Sequence, residues 1–186
     1  MSFVKLAIAD VIVHTPKKFG DHRGFFSETF NQRAWEEAGV ALEFVQDNHS
    51  LSAEPGTIRG LHYQAPPFAQ AKLIRVISGS IFDVAVDIRK GSPDYGRFVS
   101  RVLSAEAWNQ MLVPVGFAHG FCTLQPDTQV IYKVSNDYAP QHEFGIRWDD
   151  PALGIDWPVD KNAAILSDKD RENPDFADLA PHFTWP

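Results

Sequence analysis

The sequence predicts a single all-β domain, either a β-sandwich or a closed β-barrel, and three observations carry that prediction. Twelve glycines and 13 prolines are spread through 186 residues and cut the chain into many short segments. The sharpest segment, Ile81–Ile88, alternates Phe82, Val84, Val86 and Ile88 with Asp83, Ala85, Asp87 and Arg89, a period of two that buries one face of a strand. Helix signals are confined to one stretch. A chain of this size buries roughly 70% of the surface its unfolded form exposes, and its apolar residues are numerous enough to fill that core.

The elements follow in order. Leu6–Val13 reads as an apolar strand, and the rest of the N-terminal third as strand and loop. Asn31 is placed to cap a short helix over Gln32–Ala38, with Gly39 as its stop. Strands are then expected at Ala41–Gln46, Thr57–Gln64, Ala71–Ile77, Ile81–Ile88, Phe98–Leu103, Gln110–Val113, Ala118–Leu124 and Thr128–Ser135. Asp149–Pro186 is rich in proline and aspartate and has little periodicity, so it is expected to wrap the barrel as an irregular tail rather than form a second domain. The whole of residues 1–186 is therefore read as one domain.

Charge and cysteine content remove several classes of function. With 17 Lys+Arg against 24 Asp+Glu the net charge is −7, which repels nucleic acid and anionic membrane, and neither is expected as a partner. An anionic small ligand requires a local cluster of Arg and Lys. The single cysteine, Cys122, forms no internal disulfide and supplies no thiolate cluster. No apolar run approaches the ~18 residues of a membrane span, and the N-terminal run is broken by Lys5 and Asp10, so a cytoplasmic protein is expected.

Polar residues on apolar strand faces are the informative exceptions, because burying them unpaired costs on the order of 1–3 kcal/mol. Strand parity puts Lys72 on the face of Ile74 and Val76, Tyr132 with Val130 and Val134, and His119 between Phe117 and Phe121. His62 lies in Arg59-Gly60-Leu61-His62-Tyr63-Gln64. Each residue has an ordinary structural role available: a hydrogen-bonded core histidine, a strand tyrosine, a lysine whose stem reaches solvent. Four such residues directed inward read as the lining of a pocket in the mouth of a barrel. Arg59 has the opposite parity to His62, and both line one site only if a bulge or strand end turns one of them.

Pro114-Val115-Gly116-Phe117-Ala118-His119 resembles the second motif of the cupins. The first cupin motif brings His-x-His and a following glutamate, whereas this chain has His62-Tyr63-Gln64 and then Lys72. Two expected ligands are missing and a cation replaces them, which opposes metal binding, so a cupin-like jelly-roll barrel without metal is expected.

Longer strings carry a more specific likeness. Asp21-His22-Arg23-Gly24-Phe25-Phe26-Ser27-Glu28, Gln46-Asp47-Asn48-His49-Ser50, Arg59–Gln64, Ser78–Val84, Gly116–Phe121, Tyr132, Glu143 and Leu166–Asp170 occur in that order over about residues 10 to 172. Together they resemble the dTDP-4-dehydrorhamnose 3,5-epimerase family. The resemblance implies a homodimeric enzyme without cofactor that inverts C3 and C5 of a nucleotide-linked 4-keto-6-deoxyhexose, with Leu6–Val13 as an edge available to the second subunit. It makes His62 the base, Tyr132 the proton donor on the opposite face, Asp170 the partner of His62, and Lys72 the cation for the enolate. It also implies substrate contacts from Arg23, Glu28, Gln46, Asn48, Arg59, His119, Glu143 and Lys169, although Arg23 and Glu28 have an alternative as a surface ion pair. Three other functions compete: a single-centre 3-epimerase or ketoisomerase on the same barrel, a non-catalytic sugar-binding jelly roll, and a metal cupin.

Overall fold

The computed structural model describes residues 2–185. The chain runs through β1 (Ser2–Lys5), β2 (Ile12–Thr15), β3 (Phe19–Asp21), β4 (Gly24–Phe26), α1 (Gln32–Glu37), β5 (Gln46–Ser52), β6 (Ile58–Gln64) and β7 (Lys72–Ser78). It continues through β8 (Ser80–Asp87), β9 (Arg89–Lys90), β10 (Phe98–Ser104), β11 (Gln110–Val113), β12 (Phe117–Thr123), β13 (Thr128–Val134), β14 (Glu143–Gly145), α2 (Asp168–Arg171) and β15 (Phe183–Thr184). Two large antiparallel sheets result, one of six strands in the order β1-β2-β11-β7-β13-β5 and one of five in the order β10-β8-β12-β6-β14, beside two two-stranded ribbons, β3-β4 and β9-β15. Neighbours distant in sequence pair within each sheet, as in a jelly roll.

Three apolar clusters build the layers. Between the sheets, Ile74, Val76, Met111, Val113 and Val130 of one meet Ile81, Ala85, Val99, Leu103, Phe117 and Phe121 of the other. On the outside of the five-stranded sheet, Ile58, Leu61, Tyr63, Val84, Val86, Ala118 and Cys122 are covered by Ile146, Trp148, Leu153, Trp157 and Phe183 of the tail. The Trp157 indole N–H donates to the carbonyl of Trp148 at 2.7 Å, so the covering aromatic is also satisfied. On the outside of the six-stranded sheet, Trp35 of α1 packs with Ile12, Leu73 and Leu112.

These layers correct three expectations. Both faces of β8 are buried: Val84 and Val86 pack against the tail, while Ile81 and Ala85 face the other sheet, and Asp83 shares that inner side. The expected strand Ala41–Gln46 is a covering segment, because Leu42 and Phe44 pack onto the Trp35 cluster, and the strand begins at Gln46. Leu6–Val13 is not one strand: the chain turns between β1 and β2, closed by backbone bonds from Leu6 N–H to Val11 O and from Val11 N–H to Ile8 O, both 3.0 Å.

The helix is capped as the sequence indicates, with Asn31 accepting from Ala34 N–H at 3.1 Å. In the tail, Ser167 caps α2 by accepting from Asp170 N–H at 3.2 Å, which fixes the direction of Asp170.

Candidate active site

A cleft between the sheets collects most of the polar residues that the strand pattern directs inward. A cavity of about 410 Å³ is lined by Arg59, His62, Lys72, His119, Phe121, Tyr132 and the α2 residues Lys169 and Asp170, among others. A second lobe of about 360 Å³ shares His62, Lys72 and Tyr132 and adds Gln46, Asn48, Tyr138 and Glu143. His62 comes from β6 of the five-stranded sheet, and Tyr132 and Lys72 from β13 and β7 of the six-stranded one. Three side chains of different chemistry therefore face the same space, one from one wall and two from the other.

A bulge aligns Arg59 with His62. On β12, His119 pairs with His62 and Phe121 with Arg59, so two steps on β12 match three on β6. Ile58, Leu61 and Tyr63 consequently turn outward while Arg59 and His62 turn inward, which resolves the parity conflict. Gly60 permits it: its φ is +118°, and a Cβ there would sit 2.6 Å from the His119 carbonyl oxygen.

His62 Nε2 donates to Asp170 Oδ1 at 2.5 Å, which leaves Nδ1 for the cleft. Asp170 is 4% exposed. Burial pushes its carboxyl upward, but the hydrogen bonds from His62, Ser167 and the Gly60 backbone prevail and hold it below the ordinary aspartate value. Lys72 moves the other way: burial lowers its ammonium to about 8, against the opposing pull of Glu143 and Asp83. Burial raises the Tyr132 phenol above its ordinary value, with Arg59 lowering it and Glu143 adding to the rise. A neutral phenol, a carboxylate-held imidazole and a buried ammonium with a depressed pKa are suited to moving protons beside a developing oxyanion.

Around this centre lie the other residues expected from the sequence. Lys169 Nζ meets Glu143 Oε2 at 2.5 Å, and the Tyr138 hydroxyl donates to the same oxygen at 2.7 Å. These bonds keep the Glu143 carboxyl low although burial raises it. Gln46 Nε2 donates to Asn48 Oδ1 at 2.8 Å, and Gln46 Oε1 accepts from Tyr138 N–H. Arg59 bonds only Ser52 Oγ and the Leu51 carbonyl, and no carboxylate salt-bridges it among the described residues. His119 Nε2 contacts Asp83 Oδ1 at 2.6 Å.

Arg23 and Glu28 are the exceptions. Both are exposed and neither lines the cleft. Arg23 pairs with Asp21 at 2.6 Å rather than with Glu28, because the β3–β4 turn brings Asp21 beside it. Sequence reasoning missed Asp83, Tyr138 and Ser167. A carboxylate in a strand otherwise rich in Val, Ile and Phe was the available signal for Asp83; Tyr138 and Ser167 sit in loops without periodicity.

A jelly roll that gathers a histidine, a tyrosine and a lysine around one cleft defines a cupin-like isomerase. The family model described as dTDP-4-dehydrorhamnose 3,5-epimerase matches residues 5–178. The chain belongs to the dTDP-4-dehydrorhamnose 3,5-epimerase family. It is 54% identical over 179 residues to the protein of that name from Pseudomonas aeruginosa, covering 96% of this chain and 97% of that one. The crystal structure of dTDP-6-deoxy-D-glucose-3,5-epimerase from Legionella pneumophila, in complex with dTDP-4-keto-L-rhamnose, superposes with a TM-score of 0.94 at 40% identity, over 100% of this chain and 98% of that one. The enzyme from Bacillus anthracis, with TDP and PPi bound, gives 0.90 at 50% identity over 94% and 98%.

Proposed function

We propose that the protein is a dTDP-4-dehydrorhamnose 3,5-epimerase, an isomerase that inverts C3 and C5 of dTDP-4-keto-6-deoxyglucose. The observation that carries this reading is the placement of His62 and Tyr132 on opposing walls of one cleft, with Lys72 on the wall of Tyr132. The hydrogens at C3 and C5 are both α to the C4 ketone, so each leaves as a proton if the enolate oxygen is stabilised. His62 removes the proton through Nδ1, Asp170 stabilises the imidazolium that forms, and Lys72 meets the C4 oxyanion. One such contact in a dry site contributes about 3–4 kcal/mol. Tyr132 returns a proton from the other face, and the configuration inverts.

Arg59 and Lys169 supply the local positive charge that a diphosphate requires against a net charge of −7, and Gln46, Asn48, Glu143 and His119 give polar contacts to the remainder of the substrate. Arg59→Ala is expected to raise KM and lower kcat, because binding energy remote from the sugar positions it for reaction. Steady-state kinetics unchanged within about twofold would take Arg59 out of the site.

The protein acts as a single-domain, cytoplasmic homodimer that needs no metal or cofactor and binds neither membrane nor nucleic acid. The β3–β4 ribbon supports the dimer, since Phe19, Phe25 and Phe26 are exposed there, Phe26 to 70%. Arg23 and Glu28 lie on and beside this ribbon, clear of their own cleft and available to a second copy. No helix among the described residues is long and apolar enough to cross a membrane.

The deciding experiment incubates the protein with dTDP-4-keto-6-deoxyglucose in deuterated water and locates label by NMR. Deuterium with inversion at both C3 and C5 is expected. Label at C3 alone would make the protein a single-centre epimerase, and no label would exclude proton-transfer chemistry on this substrate.

A further inference from the structure

A second histidine–carboxylate pair lies beside the first. His62 and His119 are direct cross-strand partners on β6 and β12, and each directs its Nε2 at an aspartate. The partner of His62 comes from the tail, whereas that of His119 comes from within the same sheet, on β8. Asp83 is 0% exposed and His119 7%. Asp83 Oδ1 lies 2.6 Å from His119 Nε2, but its buried Oδ2 has no hydrogen-bond partner. An orphaned carboxylate oxygen carries a desolvation cost that a residue needed only to fill the core would avoid.

The surroundings of Lys72 indicate what this oxygen does. Charged and titratable groups line the cleft from the elements around it: Arg59 and His62 from β6, His119 from β12, Tyr132 from β13, Tyr138 and Glu143 from the β13–β14 segment, and Lys169 and Asp170 from α2, with Asp83 of β8 held against His119. The carboxylate of Asp170 is engaged by His62, and that of Glu143 by Lys169 and Tyr138. Asp83 retains an uncommitted oxygen, and its field, with that of Glu143, favours the ammonium form of Lys72.

We propose, building on the epimerase reading, that Asp83 is a positioning residue of the active site: its Oδ1 fixes the ring of His119, and its charge balances the buried Lys72. An acceptor on Nε2 sets the hydrogen there and turns Nδ1 away from β8. The site then holds two imidazoles with fixed tautomers, one on each strand of the β6–β12 pair. The negative charge of Asp83, with that of Glu143, opposes the loss of the Lys72 proton on which holding an enolate depends. Asp83 therefore acts through His119 and Lys72 and needs no contact with substrate.

The test is Asp83→Asn, which keeps shape and removes charge. In a protein whose wild type epimerises the dTDP-keto sugar, kcat is expected to fall at least ~10-fold with KM held within about twofold. The alkaline limb of kcat should also move to lower pH, because removing a negative charge lowers the Lys72 pKa further. An unchanged kcat and an unmoved limb would reduce Asp83 to a core residue. A wild type without epimerase activity would instead refute the underlying reading. Should the variant not fold, ¹⁵N NMR of the wild-type His119 ring decides: the Nε2–H tautomer is expected, and an Nδ1–H tautomer overturns the proposal.

Discussion

Replacing His62 by alanine is expected to abolish exchange of the C3 and C5 hydrogens with solvent and to lower turnover by at least ~10²–10⁴. The bulge in β6 turns the imidazole into the cleft, and Asp170 holds Nε2 so that Nδ1 is the free nitrogen. No other neutral base is presented in this way. His119 is also held by an aspartate but is the more deeply buried, its side chain 8% exposed against 24% for His62, Lys72 is an ammonium below about pH 8, and the Glu143 carboxyl is weakened as a base by Lys169 and Tyr138. Without His62 the enolate does not form, so neither label nor inversion should appear at either carbon. The substitution also leaves the Asp170 carboxylate buried without its main partner, at a stability cost of about 1–3 kcal/mol. Binding of dTDP to the variant separates the two effects: retained affinity with lost exchange assigns the defect to chemistry. Residual exchange above a tenth of the wild-type rate would make another group the base.

The architecture was legible in the sequence where a strand has apolar residues at alternate positions and where glycine and proline mark its ends. β6, β7, β8, β10, β11, β12 and β13 fall within a residue or so of the runs that the sequence marks out, as does the helix capped by Asn31. β5 escaped because it lies at the edge of its sheet: in Gln46–Ser52 only Ser52 is buried, so the residues that pair it with β13 carry no apolar pattern. The two faces of β8 could not be ranked from alternation, since the covering layer comes from Ile146–Phe183, some sixty residues or more away in sequence. Parity alone correctly directed Lys72, Tyr132 and His119 inward. It failed for Arg59 and His62, because a register shift set by Gly60 packing on His119 and Gly120 is a tertiary event. Asp170 had no local signal at all: its direction depends on Ser167 capping a four-residue helix.

Tyr132→Phe separates making the enolate from inverting it. His62 and Tyr132 stand on different sheets, on β6 and β13, so a sugar ring between them presents one face to each. Phenylalanine keeps the ring that packs against the inter-sheet core and removes only the hydroxyl. His62 and Lys72 remain able to take the proton and hold the enolate, and the protonated imidazole can return a proton to the face it came from. Exchange of the C3 and C5 hydrogens should therefore persist, within about tenfold of the wild-type rate, while inversion falls by ~10²-fold or more. Deuterium in a sugar of unchanged configuration is the distinguishing product, and it differs from the absence of label expected for His62→Ala. Burial raises the Tyr132 phenol, so in the wild type it stays protonated throughout the neutral range, and the loss should not vary with pH there. Normal inversion at both carbons in Tyr132→Phe would mean that water or another side chain protonates the far face. Tyr132 would then be part of the wall of the cleft, while the role of His62 as base would stand.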